Sequence, residues 1–202
     1  MADNLKFPVI TIGREYCAYG RTIARILSER LDIPYFDKDF VKKTVIESGF
    51  SEDEVNSEGE SISSLSLFIE NFLNGTAAYN SYDDIFEAQK HVIVNLAKEP
   101  CIIVGRCADF VLKEAGIPSL DVFLYAETDF KLKRAAELHP GNDTAHLKKI
   151  MKKQDELRRI YYKHYTGHDS YDFSNYDLCL NTGIIGVEKC ADIIEDIVRG
   201  TR

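Results

Sequence analysis

No apolar run in the sequence approaches the ~20 residues that span a bilayer, so no membrane-crossing helix is expected. The opening residues Met1-Ala2-Asp3-Asn4-Leu5-Lys6 lack a basic start followed by an apolar segment, and export is not expected either. Five cysteines (Cys17, Cys101, Cys107, Cys179 and Cys190) are odd in number and have no CxxC spacing. That excludes a simple disulfide framework and points to a reduced, cytoplasmic protein. Lys and Arg are missing altogether from Thr44 to Gln89, where ten acidic residues stand. With a net charge of −8, broad nucleic-acid binding is excluded as a leading reading. No Ser-His-Asp, Cys-His or zinc signature is present. His164 and His168 have a metal-like spacing on a helix, but Thr166-Gly167 breaks that helix and no further ligand joins them.

What is there fits one α/β domain: 202 residues, 45% hydrophobic and 29% charged, with room for a small inserted subdomain. Five short apolar runs read as strands: Pro8 to Ile12, Ile33 to Asp37, Cys101 to Gly105, Leu120 to Ala126, and Tyr176 to Asn181. Helices alternate with them. One opens at Arg21-Thr22 and carries Ile23, Ile26, Leu27 and Leu31 on one face; others span about Ser61 to Leu73, Tyr82 to Lys98 and Arg106 to Ala115. A helix capped by Thr128 follows, then a long basic helix from Asn142 or Asp143 to about Tyr165, and a last helix from Gly186 to Arg199. Continuous apolar strands alternating with helices predict a parallel sheet covered on both faces, with right-handed crossovers.

In such sheets ligands sit at the carboxyl ends of the strands, which gathers the loop after Ile12, Asp37, Arg106 and Asn181 on one rim. The loop after Ile12 leads from a strand into a helix, the layout in which backbone N–H groups and a helix's positive end meet an anion. Its window Glu15-Tyr16-Cys17-Ala18-Tyr19-Gly20-Arg21-Thr22 matches the P-loop pattern G-x-x-x-x-G-K-[ST] at the second Gly and the hydroxyl residue, with Glu for the first Gly and Arg for the Lys. From Lys131 to Lys163 ten Lys and Arg face four acids. Two readings stay open for that segment: a local anion site, or a solvated helix face.

With the rim assembled, the chain resembles the cytidylate-kinase-like family of P-loop proteins. The residues that carry the resemblance are Ile10 to Tyr16 and Gly20 to Ala24, then Ile33 to Asp37 and Ile103 to Phe110. They continue through Tyr161-Tyr162, Tyr165-Thr166-Gly167 and Ser174 to Thr182. The resemblance covers nearly the whole chain, in order. It implies a three-layer α/β P-loop kinase fold: a core of about residues 1–37, 83–130 and 169–202, a substrate-binding insertion of about 38–82, and a basic helical lid of about 131–168. It further implies a kinase that uses ATP and Mg²⁺, takes nucleotide substrates, and transfers phosphate to a nucleoside monophosphate such as CMP or dCMP.

Roles follow from that resemblance. Tyr16, Cys17, Ala18, Tyr19, Gly20, Arg21 and Thr22 would cradle the ATP phosphates, with Arg21 in the lysine's place and Thr22 as a Mg²⁺ ligand. Asp37 would hold Mg²⁺ or the acceptor, with Asp39 beside it unless Asp39 only caps the next helix. Arg106 would hold the acceptor's phosphate; Asp109 would orient Arg106 or meet a base amino group, or serve only the helix dipole. Arg158 and Arg159 would neutralise transition-state charge with Lys153 in support; Lys153 and Arg158 cannot both face one point on a straight helix, and one of the two arginines is expected to face solvent. Arg134 would lie beside the adenine, with Asn181-Thr182-Gly183 edging it. Glu15 is expected to turn outward or to pair with Arg14 or Arg21, because a carboxylate facing triphosphate oxygens costs affinity. Tyr161, Tyr162, Tyr165 and Tyr171 either stack on bases or pack. A kinase of another small acceptor and a nucleotide-binding regulator without turnover are the alternatives.

Overall fold

A computed structural model describes residues 5–40 and 79–200, with the side chains of 79–84 left aside. The expected insertion therefore lies outside the described residues except at its two ends, and so does the helix expected from Ser61 to Leu73. Five strands form one parallel sheet: β1 (Val9–Arg14), β2 (Tyr35–Phe36), β3 (Cys101–Val104), β4 (Leu120–Tyr125) and β5 (Leu178–Asn181), in spatial order β2-β3-β1-β4-β5. The helices are α1 (Gly20–Leu31), α2 (Tyr79–Leu96), α3 (Ala108–Glu114), α4 (Thr128–Leu138), α5 (Thr144–Thr166), α6 (Thr182–Ile185) and α7 (Val187–Arg199).

Alternation along the central strands divides the core into two layers. Ile10, Ile12, Ile102 and Val104 point toward α1 and α7, where they pack with Ile23, Leu27, Ile194 and Val198. Val9, Cys101 and Ile103 point the other way, against Ile93 of α2, Val111 and Leu112 of α3, and Tyr161 and Tyr162 of α5. A smaller cluster of Cys17, Ala135, Leu147 and Met151 binds the loop after β1 to α4 and α5. No helix among the described residues is long and apolar enough to cross a membrane.

Several boundaries differ from expectation for local reasons. β2 is shorter than the expected Ile33 to Asp37, because Pro34 has no N–H to give the ladder and Asp37 already caps the next turn, accepting from the backbone N–H of Asp39 at 3.0 Å and of Phe40 at 3.3 Å. Asp37, not Asp39, is thus the capping residue. α1 opens at Gly20, one residue before Arg21, and α3 at Ala108 rather than Arg106, since Arg106 and Cys107 have positive φ (59° and 54°). Glu127 holds the N-cap position of α4 without a side-chain bond, so Thr128 is its first helical residue and not its cap. Asp143 caps α5 by accepting from His146 N–H at 2.8 Å.

Candidate active site

The loop between β1 and α1 reaches its shape by two left-handed residues, Cys17 (φ 63°) and Tyr19 (φ 61°). Neither is glycine, and each such residue costs roughly 1–3 kcal/mol unless its surroundings hold it there. The surroundings do. Cys17 is packed against Ala135, Leu147 and Met151, and burial pushes its thiol up to about 11, so it stays protonated. The Tyr19 ring lies 5.5 Å from Phe130 and 5.3 Å from the Arg134 guanidinium. Tyr19 caps α1 with no side-chain bond, which leaves the first N–H groups of a twelve-residue helix without a side-chain cap. They edge a cavity of about 370 Å³ lined by all of Arg14 to Thr22 and by Arg134, His139 and Arg158 among others.

Glu15 neither turns outward nor pairs with Arg14 or Arg21; its side chain is largely buried. Its carboxylate accepts from Lys131 Nζ at 2.8 Å, Ala126 N–H at 3.2 Å and the Tyr171 hydroxyl at 3.3 Å. Lys131 also reaches Asp155 on α5 at 3.3 Å, and Asp155 in turn accepts the Tyr16 N–H. Burial alone would lower the Lys131 ammonium, yet the Glu15 hydrogen bond and the Asp155 charge hold it above its usual value. Burial raises the Asp155 carboxyl, against the Tyr16 N–H and the Lys131 charge. The loop, α4 and α5 are joined here by charge.

A second, tighter cavity of about 50 Å³ lies under the tips of β1 and β3. Gly105, Arg106 and Cys107 all have positive φ, and the turn buries the Arg106 guanidinium 5.3 Å from the Tyr161 ring. Asp109 lines the same cavity, buried, and accepts from the Tyr162 hydroxyl at 2.6 Å. Burial raises the Asp109 carboxyl to about 6, with the Tyr162 hydrogen bond opposing. Arg14 and Arg158 line both cavities, and Arg158 donates to the Arg14 carbonyl at 3.4 Å.

A family model described as the cytidylate kinase-like family matches residues 9–184. The chain belongs to that family. Among relatives it is similar to a cytidylate kinase of Methanococcus vannielii, 24% identical over 95% of this chain and 99% of that one. It is also similar to a cytidylate kinase of Desulfurococcus amylolyticus, 30% identical over 48% of this chain and 51%, about half, of that one. An uncharacterized protein from Eubacterium ventriosum superposes with a TM-score of 0.72 at 26% identity, covering 96% of this chain and 99% of that one. A shikimate kinase from Acinetobacter baumannii in complex with shikimate shares the fold at a TM-score of 0.53 and 12% identity, over 98% and 96% of the two chains. The three-layer P-loop kinase architecture expected for the cytidylate kinase-like family is thus the architecture found.

The other expected site residues divide. Arg134 stands at the loop cavity, beside Tyr19 and paired with Glu137 at 2.7 Å. Arg21 borders the loop cavity, but its half-exposed guanidinium pairs with Asp37 at 2.9 Å and with Asp39 at 2.5 Å. Arg159 lies apart from both cavities, forked onto Asp169, while Lys153 is half-buried on α5 and lines neither. Thr182 is fully buried and donates to the Tyr125 carbonyl at 3.2 Å, so it edges no base; Asn181 caps α6 instead. Of the tyrosines, Tyr161 and Tyr162 are core residues and Tyr165 stacks on Phe86 at 3.9 Å. The residues that sequence reasoning left out are Lys131, Asp155 and Arg14; the only local hint was a lysine set between Phe130 and Leu132.

The donor set suits Mg²⁺. Among the described residues no cluster of three His, Cys, Asp or Glu could hold a metal alone. The Thr22 hydroxyl at the loop cavity and the Asp37 carboxylate, paired with Arg21 of its lining at 2.9 Å, are hard oxygens of the kind that share Mg²⁺ with substrate phosphates.

Two outcomes are expected. Asp109 ionises in the unfolded chain near 3.8 but in the folded one only near 6, so the native state loses stability as pH rises between those values. Asp109→Asn, which keeps an acceptor for Tyr162, should match the wild type in denaturant melts at pH 4 and exceed it by on the order of 2 kcal/mol at pH 7.5. Equal curves at both pH values would contradict the buried carboxyl. Lys131→Met leaves Glu15 and Asp155 buried without their cation and should cost on the order of 3 kcal/mol at pH 7, with part regained in Lys131→Met/Asp155→Asn.

Proposed function

We propose that the chain transfers the γ-phosphoryl group of ATP to a nucleoside monophosphate, with CMP or dCMP as the favoured acceptor. The observation that carries this reading is the meeting of two cavities at Arg14 and Arg158, one over the N-terminus of α1 and one around Arg106 and Asp109. Phosphoryl transfer asks a protein mainly for in-line positioning and for positive charge around the transferring group. The uncapped N–H groups of α1 receive the ATP phosphates, and Arg134 receives the adenine face. Arg106 holds the acceptor's monophosphate by its forked donors. An oxygen of that monophosphate attacks the γ-phosphorus as the bond to the bridging oxygen of ADP breaks, and Arg158 bears on the charge spread between them. Mg²⁺, when bound, spreads charge over the phosphate oxygens, with Thr22 and Asp37 as the residues to hold it. Asp109, ionised above about pH 6, accepts from the cytosine amino group, which uracil lacks.

The cytidylate kinases named among the relatives support the choice of base, and the absence of a lysine from the loop favours a second reading, a nucleotide-binding regulator without turnover. A coupled ADP-release assay over nucleoside monophosphates, nucleosides and small metabolites separates the two. CMP or dCMP should exceed UMP by about 10-fold or more in kcat/KM, the range set by a lost buried hydrogen bond. Tight ATP–Mg²⁺ binding with turnover on no acceptor would contradict the kinase reading and favour the regulator; turnover confined to another metabolite would overturn CMP alone.

A further inference from the structure

We infer that Arg14, rather than Arg21, supplies the cation that lysine supplies in an ordinary P-loop, an inference that rests on the kinase reading above. The backbone sets the frame. In G-x-x-x-x-G-K-[ST] the second Gly stands directly before the Lys that opens the helix. Here the left-handed residue before the helix is Tyr19 (φ 61°, ψ 21°), and the first helical residue is Gly20. The conformation therefore places the window at Arg14 to Arg21, one residue earlier than the letters suggest. Arg14 takes the first Gly, Tyr19 the second and Gly20 the Lys; Arg21 falls at the Ser/Thr position, so the hydroxyl offered to Mg²⁺, that of Thr22, stands one residue beyond the pattern.

The lysine's place thus holds no side chain, and Arg14 fills the space. A Cβ built on Gly20 would lie 3.0 Å from Arg14 Cγ, 3.3 Å from its Cβ and 3.4 Å from its Cδ. The stem of Arg14 runs over Gly20 where a side chain at that position would begin. Its head continues toward the acceptor cavity: Arg14 Nη1 lies 2.0 Å from where a Cβ of Gly105 would stand, so only glycine at 105, with φ +80°, lets the guanidinium pass. Arg14 borders both cavities and lies at the seam a phosphoryl group crosses. Arg21 has its charge offset by two carboxylates, Asp37 and Asp39, on the exposed side of the loop. Arg14 and Gly20 thus exchange the roles of glycine and lysine, and the forked guanidinium can bind two phosphate oxygens where an ammonium binds as a point charge. Arg14 is in this account a catalytic residue, in reach of the transferring phosphate.

The test uses the full chain with ATP, Mg²⁺ and the best acceptor, reading kcat and KM by ADP release and ATP affinity by calorimetry. Arg14→Ala should lower kcat by about 100-fold or more, as loss of a preorganised transition-state cation does. Arg21→Ala should lose several-fold less. The exchange Arg14→Gly/Gly20→Lys should regain at least about 10-fold over Arg14→Ala, because it restores a cation in the same space. Should Arg14→Ala fail to melt cooperatively, Arg14→Lys decides, with a loss of about 10-fold expected from the shorter, unforked head. A folded Arg14→Ala within about threefold of wild type, an Arg21→Ala loss as large as that of Arg14→Ala, or an Arg14→Lys without loss would overturn the role of Arg14 while leaving the kinase reading standing. A folded wild type that binds no ATP would overturn both.

Discussion

Lys131 sets its ammonium between the carboxylates of Glu15 and Asp155, and the loop after β1, helix α4 and helix α5 all meet at that cation. Remove it and two carboxylates with little access to water would face each other across the root of the loop. A buried pair of this kind adds little net stability compared with apolar packing, but losing one member is costly. Its effect here is on shape. Glu15 is drawn away from the space where phosphates would lie, and Asp155 takes the Tyr16 N–H, which fixes the loop's first turn. The left-handed backbone at Cys17 and Tyr19 then persists without glycine, because both ends of the loop are held and the side chains between them are packed.

The same economy of glycine appears at the neighbouring turn. Gly105, Arg106 and Cys107 turn back on themselves with positive φ, and the glycine stands only where Arg14 must pass. The ends of two adjacent strands present Arg14 and Arg106, and α5 adds Arg158; all three line the smaller cavity, and Arg14 and Arg158 border the loop cavity as well. Such a concentration of positive charge in an acidic protein is a local field.

Much of the fold was legible. A run such as Cys101 to Val104 is apolar on both faces, which a covered parallel sheet rewards, and the order of the strands decides which residues share the rim. The site was legible as far as strand ends go: Arg106, Asp109 and the loop after β1 come together. It failed where conformation overrides letters. Cys17 and Tyr19 in glycine conformations shift the frame of the loop, and no letter announces that. Arg158 and Arg159 are neighbours whose helical phase decides everything, and only the packing of α5 assigns one to the seam and the other to Asp169. The Glu15, Lys131 and Asp155 contacts join residues far apart in sequence, so no local spacing could reveal them.

The most direct measurement is a crystal structure of the full chain with a non-hydrolysable ATP analogue, Mg²⁺ and CMP. The account predicts the triphosphate over the N–H groups that open α1, the γ-phosphate between Arg14 and Arg158, and the CMP phosphate on Arg106. A triphosphate bound elsewhere, or a loop cavity left empty at saturating nucleotide, would contradict it.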